Sequence, residues 1–273
     1  MITVQLLGGL GNQLFQYAMA KSLSIEKKQK FSIDVSSFET YKLHDYALDH
    51  FNIQKKGFKK PNRYLKKILD LFQKTRYYKE KEFNFNPLIF DINERDIYLE
   101  GYFQSEKYFV KHEKEIRKDF EIISPLKKQT QETIKHIQEV NSVSLHIRRG
   151  DYLQHKIHNT DKTDYYKTAM ATMESQVDNP VYFIFSDDMP WAKENFKTNF
   201  ETIFVDFNDA LTNFEDLKLM STCKHNIIAN SSFSWWGAWL NTNEQKIVIA
   251  PKLWFNDNTI NTKDIIPDSW IKI

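Results

Sequence analysis

The sequence predicts an α/β protein built from two parallel-sheet domains, and three observations carry that expectation. Short apolar runs alternate with helical patterns through both halves of the 273 residues, the rhythm of successive strand–helix–strand units. A break at Ser124-Pro125 separates the two series. At three places an apolar run stops abruptly at glycines, arginines or serines, as parallel strands do where their carboxyl ends carry a site.

Taken in order, residues 2–7 read as a strand that turns through Gly8-Gly9-Leu10-Gly11-Asn12 into a helix over 13–28. A second strand covers 30–35, and 40–93 reads as irregular with one helix inside it. Residues 97–103 form a strand and Ser105 opens a helix. After Pro125 a polar-faced helix spans 126–140, followed by a strand over 142–147 and a helix over 164–173. Strands at 181–185, 203–205, 226–229 and 246–250 complete the second series, with helices between them. The expected division is 1–124 and 125–273, without internal repeats.

Composition narrows the class. Hydrophobic residues make up 41% and aromatics 15%, enough to fill two modest cores or one large one. No apolar run reaches bilayer length, and Met1-Ile2-Thr3-Val4-Gln5 lacks the charged start of a secretion signal. The single Cys223 excludes an internal disulfide framework and a cysteine-based zinc site. A reducing, cytoplasmic setting is expected.

The net charge of +2 hides a local excess. Residues 55–81 hold eleven Lys and Arg against Asp70 and Glu80 alone. Tyr64, Ile68 and Phe72, with Leu65 and Leu69 beside them, recur there at helical spacing. Such a basic amphipathic helix either lies on an anionic membrane surface or is a solvated face packed on its own domain. The run is local and no nucleic-acid motif accompanies it, so nucleic acid is not the expected partner.

Three strand ends carry chemistry. Ser144-Leu145-His146-Ile147-Arg148-Arg149-Gly150-Asp151 delivers two guanidiniums to the mouth of a sheet. Guanidinium stays protonated and offers a planar fork of donors to a diphosphate. The alternative is an arginine pair held by local carboxylates such as Asp151. Leu7-Gly8-Gly9-Leu10-Gly11-Asn12-Gln13 lets backbone N–H groups point at an anion. It lacks the third glycine of a dinucleotide fingerprint, leaving Asp34 to serve alone as the ribose acid. Asn230-Ser231-Ser232-Phe233-Ser234-Trp235-Trp236-Gly237-Ala238-Trp239 ends a strand in helix-capping hydroxyls. Its tryptophans read as core filling, at least two of the three. Phe185-Ser186-Asp187-Asp188 adds two carboxylates that bind a divalent metal, orient a ligand hydroxyl or cap a helix.

With the segment Glu100-Gly101-Tyr102-Phe103-Gln104-Ser105-Glu106-Lys107-Tyr108, these blocks resemble the ordered motifs of the bacterial α-1,2-fucosyltransferases, glycosyltransferase family 11. The resemblance runs from residue 5 to about residue 240. It implies a glycosyltransferase-B-like fold, two facing Rossmann-like domains with the active site in the cleft between them. The first domain would take the acceptor and the second GDP-fucose. The implied reaction is inverting and metal-free, from GDP-β-L-fucose to a galactose 2-hydroxyl on an oligosaccharide or a lipid-linked acceptor. By the same match Arg148 would hold the diphosphate with Arg149 in support, and His146 would lie near the nucleoside. Ser231, Ser232 and Ser234 would meet the phosphates and His225 the guanine. Asp187 and the turn of Gly9, Gly11, Asn12 and Gln13 would border the same donor. For the proton leaving the acceptor hydroxyl, Asp151, His155, His158 and Asp34 are all candidates, and the residues leave that choice open. Two rival classes stand beside this reading: a metal-dependent sugar-nucleotide enzyme gripping its ion with Asp187 and Asp188, and a GDP-sugar-binding module without turnover.

Overall fold

The computed structural model describes residues 1–40, 43–53, 75–150, 152, 157 and 163–273. The chain divides into two compact units, Met1–Ile123 with Asn261–Pro267, and Ser124–Ile260 with Asp268–Ile273. Each has a parallel sheet at its centre, as the strand–helix alternation predicts.

The first unit is a four-stranded sheet in the order β2-β1-β4-β3. Its strands are β1 (Ile2–Gln5), β2 (Phe31–Asp34), β3 (Thr75–Lys79) and β4 (Asp96–Glu100). Helix α1 (Leu10–Glu26) follows β1 and is buried on most of its circumference through Leu14, Phe15, Tyr17, Met19 and Leu23. Strand β3 falls in a stretch the sequence reads as irregular. It is an edge strand with Arg76 and Tyr77 exposed, so charged residues interrupt the alternation that would mark it. The basic helix expected around Tyr64 to Phe72 lies outside the described residues. Ser105 does cap a helical turn, its hydroxyl accepting from the Lys107 N–H. That turn is 3-10 (Glu106–Tyr108), however, and the α-helix of this region, α2 (Glu113–Asp119), begins eight residues after Ser105.

The second unit holds a six-stranded sheet in the order β10-β9-β8-β5-β6-β7. Strands β5 (Asn141–Ile147) and β6 (Pro180–Ser186) lie at its centre and are buried almost throughout, as strands covered on both faces must be. Their side chains alternate between two cores. Val143, Leu145, Ile147, Tyr182 and Ile184 pack with Tyr166, Ala169 and Met173 of α4 (Thr163–Glu174) and Ala192 of α5 (Met189–Asn195). Val181, Phe183 and Phe185 pack on the other face with Ile137 of α3 (Lys128–Glu139) and Leu219 and Met220 of α6 (Asn213–Thr222). Outward lie β7 (Thr202–Phe204) on one side and β8 (His225–Ile227), β9 (Val248–Ala250) and β10 (Ile271–Lys272) on the other.

Helix α7 (Ser232–Leu240) follows β8. Trp235, Trp236 and Trp239 are all buried, so all three are core. Gly237 lets α7 press against α6, since a Cβ there would lie 2.8 Å from Cβ of Met220. Among the described residues no helix is long and apolar enough to cross a membrane.

Candidate functional site

In each sheet the strand order reverses at one point, and in open α/β sheets ligands settle outside the carboxyl ends of the strands at such a point. In the second unit the chain runs β5 to β6 to β7 in one direction and then returns to place β8 on the other flank of β5. The reversal therefore falls between β5 and β8. Arg148 and Arg149 leave the end of β5, and the serine-capped start of α7 follows β8. Neighbouring strands lie ~4.8 Å apart, so both features stand at the same end of one strand pair.

Carboxylates from the adjacent strand β6 fix the arginines. Arg148 Nε lies 3.1 Å from Asp187 Oδ2, and Asp187 Oδ1 accepts from the Arg149 N–H at 2.8 Å. Arg149 Nε donates to Asp188 Oδ2 at 3.3 Å, and its guanidinium sits 3.7 Å above the Trp191 ring. The Tyr152 ring lies 5.4 Å from the Arg148 guanidinium, and the Tyr152 hydroxyl donates to the Asn230 carbonyl at 3.1 Å. That bond ties the arginine turn to the chain entering α7. Both guanidiniums stay about one-quarter exposed. Asp188 also caps α5 by accepting from the Trp191 N–H.

Among the described residues Asp187 and Asp188, about forty places along the chain, are carboxylates that hold the arginines. Asp151, the partner suggested by proximity in sequence and the candidate base, lies outside the described residues, as do His155 and His158. Gly150 is needed for this packing, because a Cβ there would come within 2.7 Å of Asp187 Oδ2.

At the start of α7, Ser231 is the N-cap and its hydroxyl accepts from the Phe233 N–H at 3.3 Å. The Ser234 hydroxyl turns back to the Ser231 carbonyl, leaving Ser232 the most open of the three. First-turn N–H groups lack helical partners and carry the positive end of the helix dipole, which favours an anion. His146 lies beneath, 5% exposed, with its ring 5.7 Å from that of Phe233. Burial, reinforced by the Arg148 charge, pushes its pKa down to about 3, so the imidazole is neutral. His225 does not join them: it opens β8 and pairs in register with Val143, five places before Arg148, so it lies at the amino end of the strands and not beside a guanine held at their carboxyl ends. It is half-buried, and its Nδ1 accepts from the Ile247 N–H at 3.0 Å, which places its proton on Nε2. Burial and Lys224 lower its pKa as well.

In the first unit the glycine turn is tightly built. Gly8 has φ +85°, a region that favours glycine, and a Cβ on it would meet Asn12 Nδ2 at 2.6 Å. Gly9 is the N-cap of α1 and Gly11 is buried in its first turn. Gln13 is fully buried: its Nε2 donates to the carbonyls of Gly8 and Asp45, and its Oε1 accepts from the Ala47 N–H. The side chain therefore sets the shape of the turn. The Asn12 Oδ1 accepts from Gln104 at 2.8 Å. Asp34 is buried as well, accepting from the Tyr98 hydroxyl at 2.7 Å and the Ser36 N–H at 2.9 Å.

Neither Asp187 nor Asp188 presents an open carboxylate pair, since each is engaged with a guanidinium. Among the described residues no group of three His, Cys, Asp or Glu is placed to hold a metal ion. Sequence reasoning missed Tyr152 and Trp191 as partners of the arginines; Tyr152, three places after Arg149, was within reach of a local reading.

Comparison with known proteins agrees with this architecture. Residues 1–273 match the family described as Glycosyl transferase family 11. The chain is 35% identical to an alpha-1,2-colitosyltransferase of Escherichia coli, covering all of this chain and 98% of that one. It is 34% identical to the O-antigen biosynthesis glycosyltransferase WbnK of Escherichia coli, over 97% and 98%. Human galactoside alpha-(1,2)-fucosyltransferase 1 is 26% identical over 55% of this chain and 44% of its own length. Among solved structures, NodZ alpha-1,6-fucosyltransferase soaked with GDP-fucose superimposes with a TM-score of 0.52 at 14% identity, covering 88% and 92% of the two chains. A mutant of Arabidopsis thaliana FUT1 in complex with GDP gives the same TM-score at 10% identity, over 99% and 75%. At those identities the likeness is one of fold.

Proposed function

Because this chain belongs to glycosyltransferase family 11, we propose that it moves L-fucose from GDP-β-L-fucose to the 2-hydroxyl of a terminal galactose, inverting the anomeric carbon. The observation that carries the reading is the reversal point of the second sheet, where the braced Arg148–Arg149 pair and the start of α7 are neighbours. In this reading the second unit is the donor-binding domain and the first takes the acceptor. Arg148 and the first-turn N–H groups of α7 hold the diphosphate, and Arg149 supports them. Neutral His146 backs the nucleoside without adding charge. Asp187 acts through Arg148, which it holds in position.

Departure of GDP leaves the sugar carbon cationic while negative charge collects on the β-phosphate. Fixed guanidiniums and backbone dipoles favour that charge more strongly as it grows, and one such donor is typically worth ~3–4 kcal/mol in the barrier. The salt-bridged carboxylates keep the guanidiniums oriented before the donor arrives. A dissociative transition state asks little of the base, and Asp151 is the residue we propose for that role.

One observation favours a second donor. The 35% identical relative that matches this chain from end to end is an alpha-1,2-colitosyltransferase, and colitose is fucose without its 3-hydroxyl. Incubation with lactose and either GDP-fucose or GDP-colitose, in buffer containing EDTA, separates the readings. The expected outcome is metal-free transfer of fucose, with the new linkage identified by NMR as α-1,2 to galactose. Exclusive use of GDP-colitose would move the donor assignment. Binding of GDP without transfer to any galactoside would leave a binding module, and a rate restored only by a divalent ion would favour the metal-dependent rival. We also propose that the protein works in the cytoplasm, in peripheral contact with the inner membrane surface.

A further inference from the structure

The first sheet has a reversal point of its own, between β1 and β4, and a cavity of about 310 Å³ opens there. It lies at the carboxyl ends of three strands: Gln5 closes β1, Lys79 closes β3 and Glu100 closes β4. Gln16 of α1 forms its base. The Gln16 carboxamide bonds both the N–H and the carbonyl of Leu7 and donates to the carbonyl of Gly101, locking the two strand ends together. One wall is an aromatic pair, Phe83 and Tyr102, with ring centroids 6.1 Å apart and planes 9° from parallel.

The wall is built rather than incidental. Both oxygens of Glu80 accept backbone N–H bonds, from Tyr102 at 2.6 Å and from Phe103 at 3.0 Å and 3.2 Å. Gly101 makes room for that carboxylate, since a Cβ there would lie 2.5 Å from Cβ of Glu80. The Glu100-Gly101-Tyr102-Phe103-Gln104 segment, which shares the family resemblance but has no role in the donor site, acquires one here.

The cavity chemistry selects among ligands. Three glutamates line it against two lysines, and Lys79 is already bound to Glu100 at 2.6 Å. A diphosphate would be repelled. The volume stands at the lower end of the ~300–1,000 Å³ of small-molecule sites, which suits a mono- or disaccharide. A pyranose presents one face of C–H groups that lies flat on an aromatic ring, and a rim of hydroxyls that pair with carboxylates and amides.

We infer that this cavity holds the terminal galactoside of the acceptor, with Phe83 and Tyr102 as its stacking surface and Gln5, Glu82 and Glu100 as its hydroxyl partners. The inference rests on the transfer reaction proposed above and adds the place where the acceptor binds. Lactose titrations at saturating GDP-fucose test it, with Phe83→Ala compared to wild type. The acceptor KM should rise about tenfold or more while GDP affinity, measured by calorimetry, stays within roughly twofold. Where Phe83→Ala does not fold, Phe83→Leu keeps the volume and removes the ring face. An unchanged acceptor KM in a folded variant of either kind would place the acceptor elsewhere. Should wild type transfer to no galactoside, the reaction is misassigned and the cavity is judged by saturation-transfer NMR with lactose. Weaker contact in Phe83→Leu than in wild type would then support the cavity, and equal contact, or none to wild type, would overturn it.

Discussion

Arg148 and Arg149 are already engaged in the proposed donor site, which makes the difference between arginine and lysine measurable at single residues. Asp187 takes the Nε edge of Arg148, and a planar fork can hold that carboxylate and a phosphate at once, whereas a lysine has one point of charge. Arg148→Lys should weaken GDP binding by ~1.5–3 kcal/mol in calorimetry and remove turnover, with Arg149→Lys milder. Wild-type affinity in the Arg148 variant would move the diphosphate elsewhere. Two buried groups also shape the acid response. His146 is pushed from 6.5 to about 3 by burial, with Arg148 adding to the effect, so the stability it confers is complete above pH 6.5 and is lost as pH falls toward 3. Asp216 runs the other way: burial, with Glu215 adding to it against a bond from Asn208, raises it from 3.8 to about 7. Its ionisation removes stability as pH rises from 3.8 to about 7. The two oppose each other between about pH 4 and 6.5. Asp216→Asn should therefore raise Tm above pH 7, with ~2–4 °C for each kcal/mol recovered, and steepen the loss of Tm on acidification. A Tm in Asp216→Asn equal to wild type at pH 8 would show that the carboxylate is not held in its neutral form.

Between residues and domains stands the turn that leaves β5. A central strand buried on both faces fixes where its last side chain ends, and the turn then has a single geometry in which Asp187 reaches both the Arg148 guanidinium and the Arg149 N–H. Gly150→Ala would place a methyl 2.7 Å from Asp187 Oδ2 and force the carboxylate off the arginine. GDP affinity should fall at least tenfold, about 1.4 kcal/mol, while the melting temperature changes by no more than a few degrees, because the turn lies outside both cores. Calorimetry and thermal melts on the same preparation check this. Undiminished GDP affinity would mean that Asp187 is not needed to hold Arg148. The turn after β1 follows the same logic with other means: positive φ at Gly8 and the buried amide of Gln13 set its path.

For the molecule as a whole, each unit has a reversal point at the carboxyl ends of its strands, one with cationic and helix-dipole character and one with an aromatic and acidic lining. That division of chemistry suits a charged donor and a neutral acceptor. The basic stretch over 55–81 is the part of the sequence that bears on the proposed membrane contact. Lys and Arg close to an anionic membrane contribute ~1 kcal/mol each, screened by salt, which is the strength that the proposed weak and reversible docking needs. Sedimentation with anionic liposomes should capture the protein at low salt and release it at high salt. Replacing Lys59, Lys60, Lys66 and Lys67 with Gln should weaken capture. No capture of wild type at low salt would mean that the lysines are a solvated face.

The α/β class, the central strands and the residues that follow three strand ends were legible in the sequence, because hydrophobic period and strand-end residues are local properties. Buried strands such as β5 and β6 are apolar wherever they pair, and a serine-capped helix start reads the same in any fold. Strand β3 escaped because an exposed edge strand need not alternate, and β10 because two residues carry no period. Asp187 as a partner of Arg148 was equally out of reach, since it is the parallel pairing of β5 with β6 that brings it alongside. The first-unit cavity joins residues 5, 16, 79–83 and 100–102, and no local pattern links them. By itself the sequence determined which groups the protein has to offer. Which of them meet was decided by strand order and register, because each sheet fixes its neighbours through backbone hydrogen bonds that bear no relation to distance along the chain.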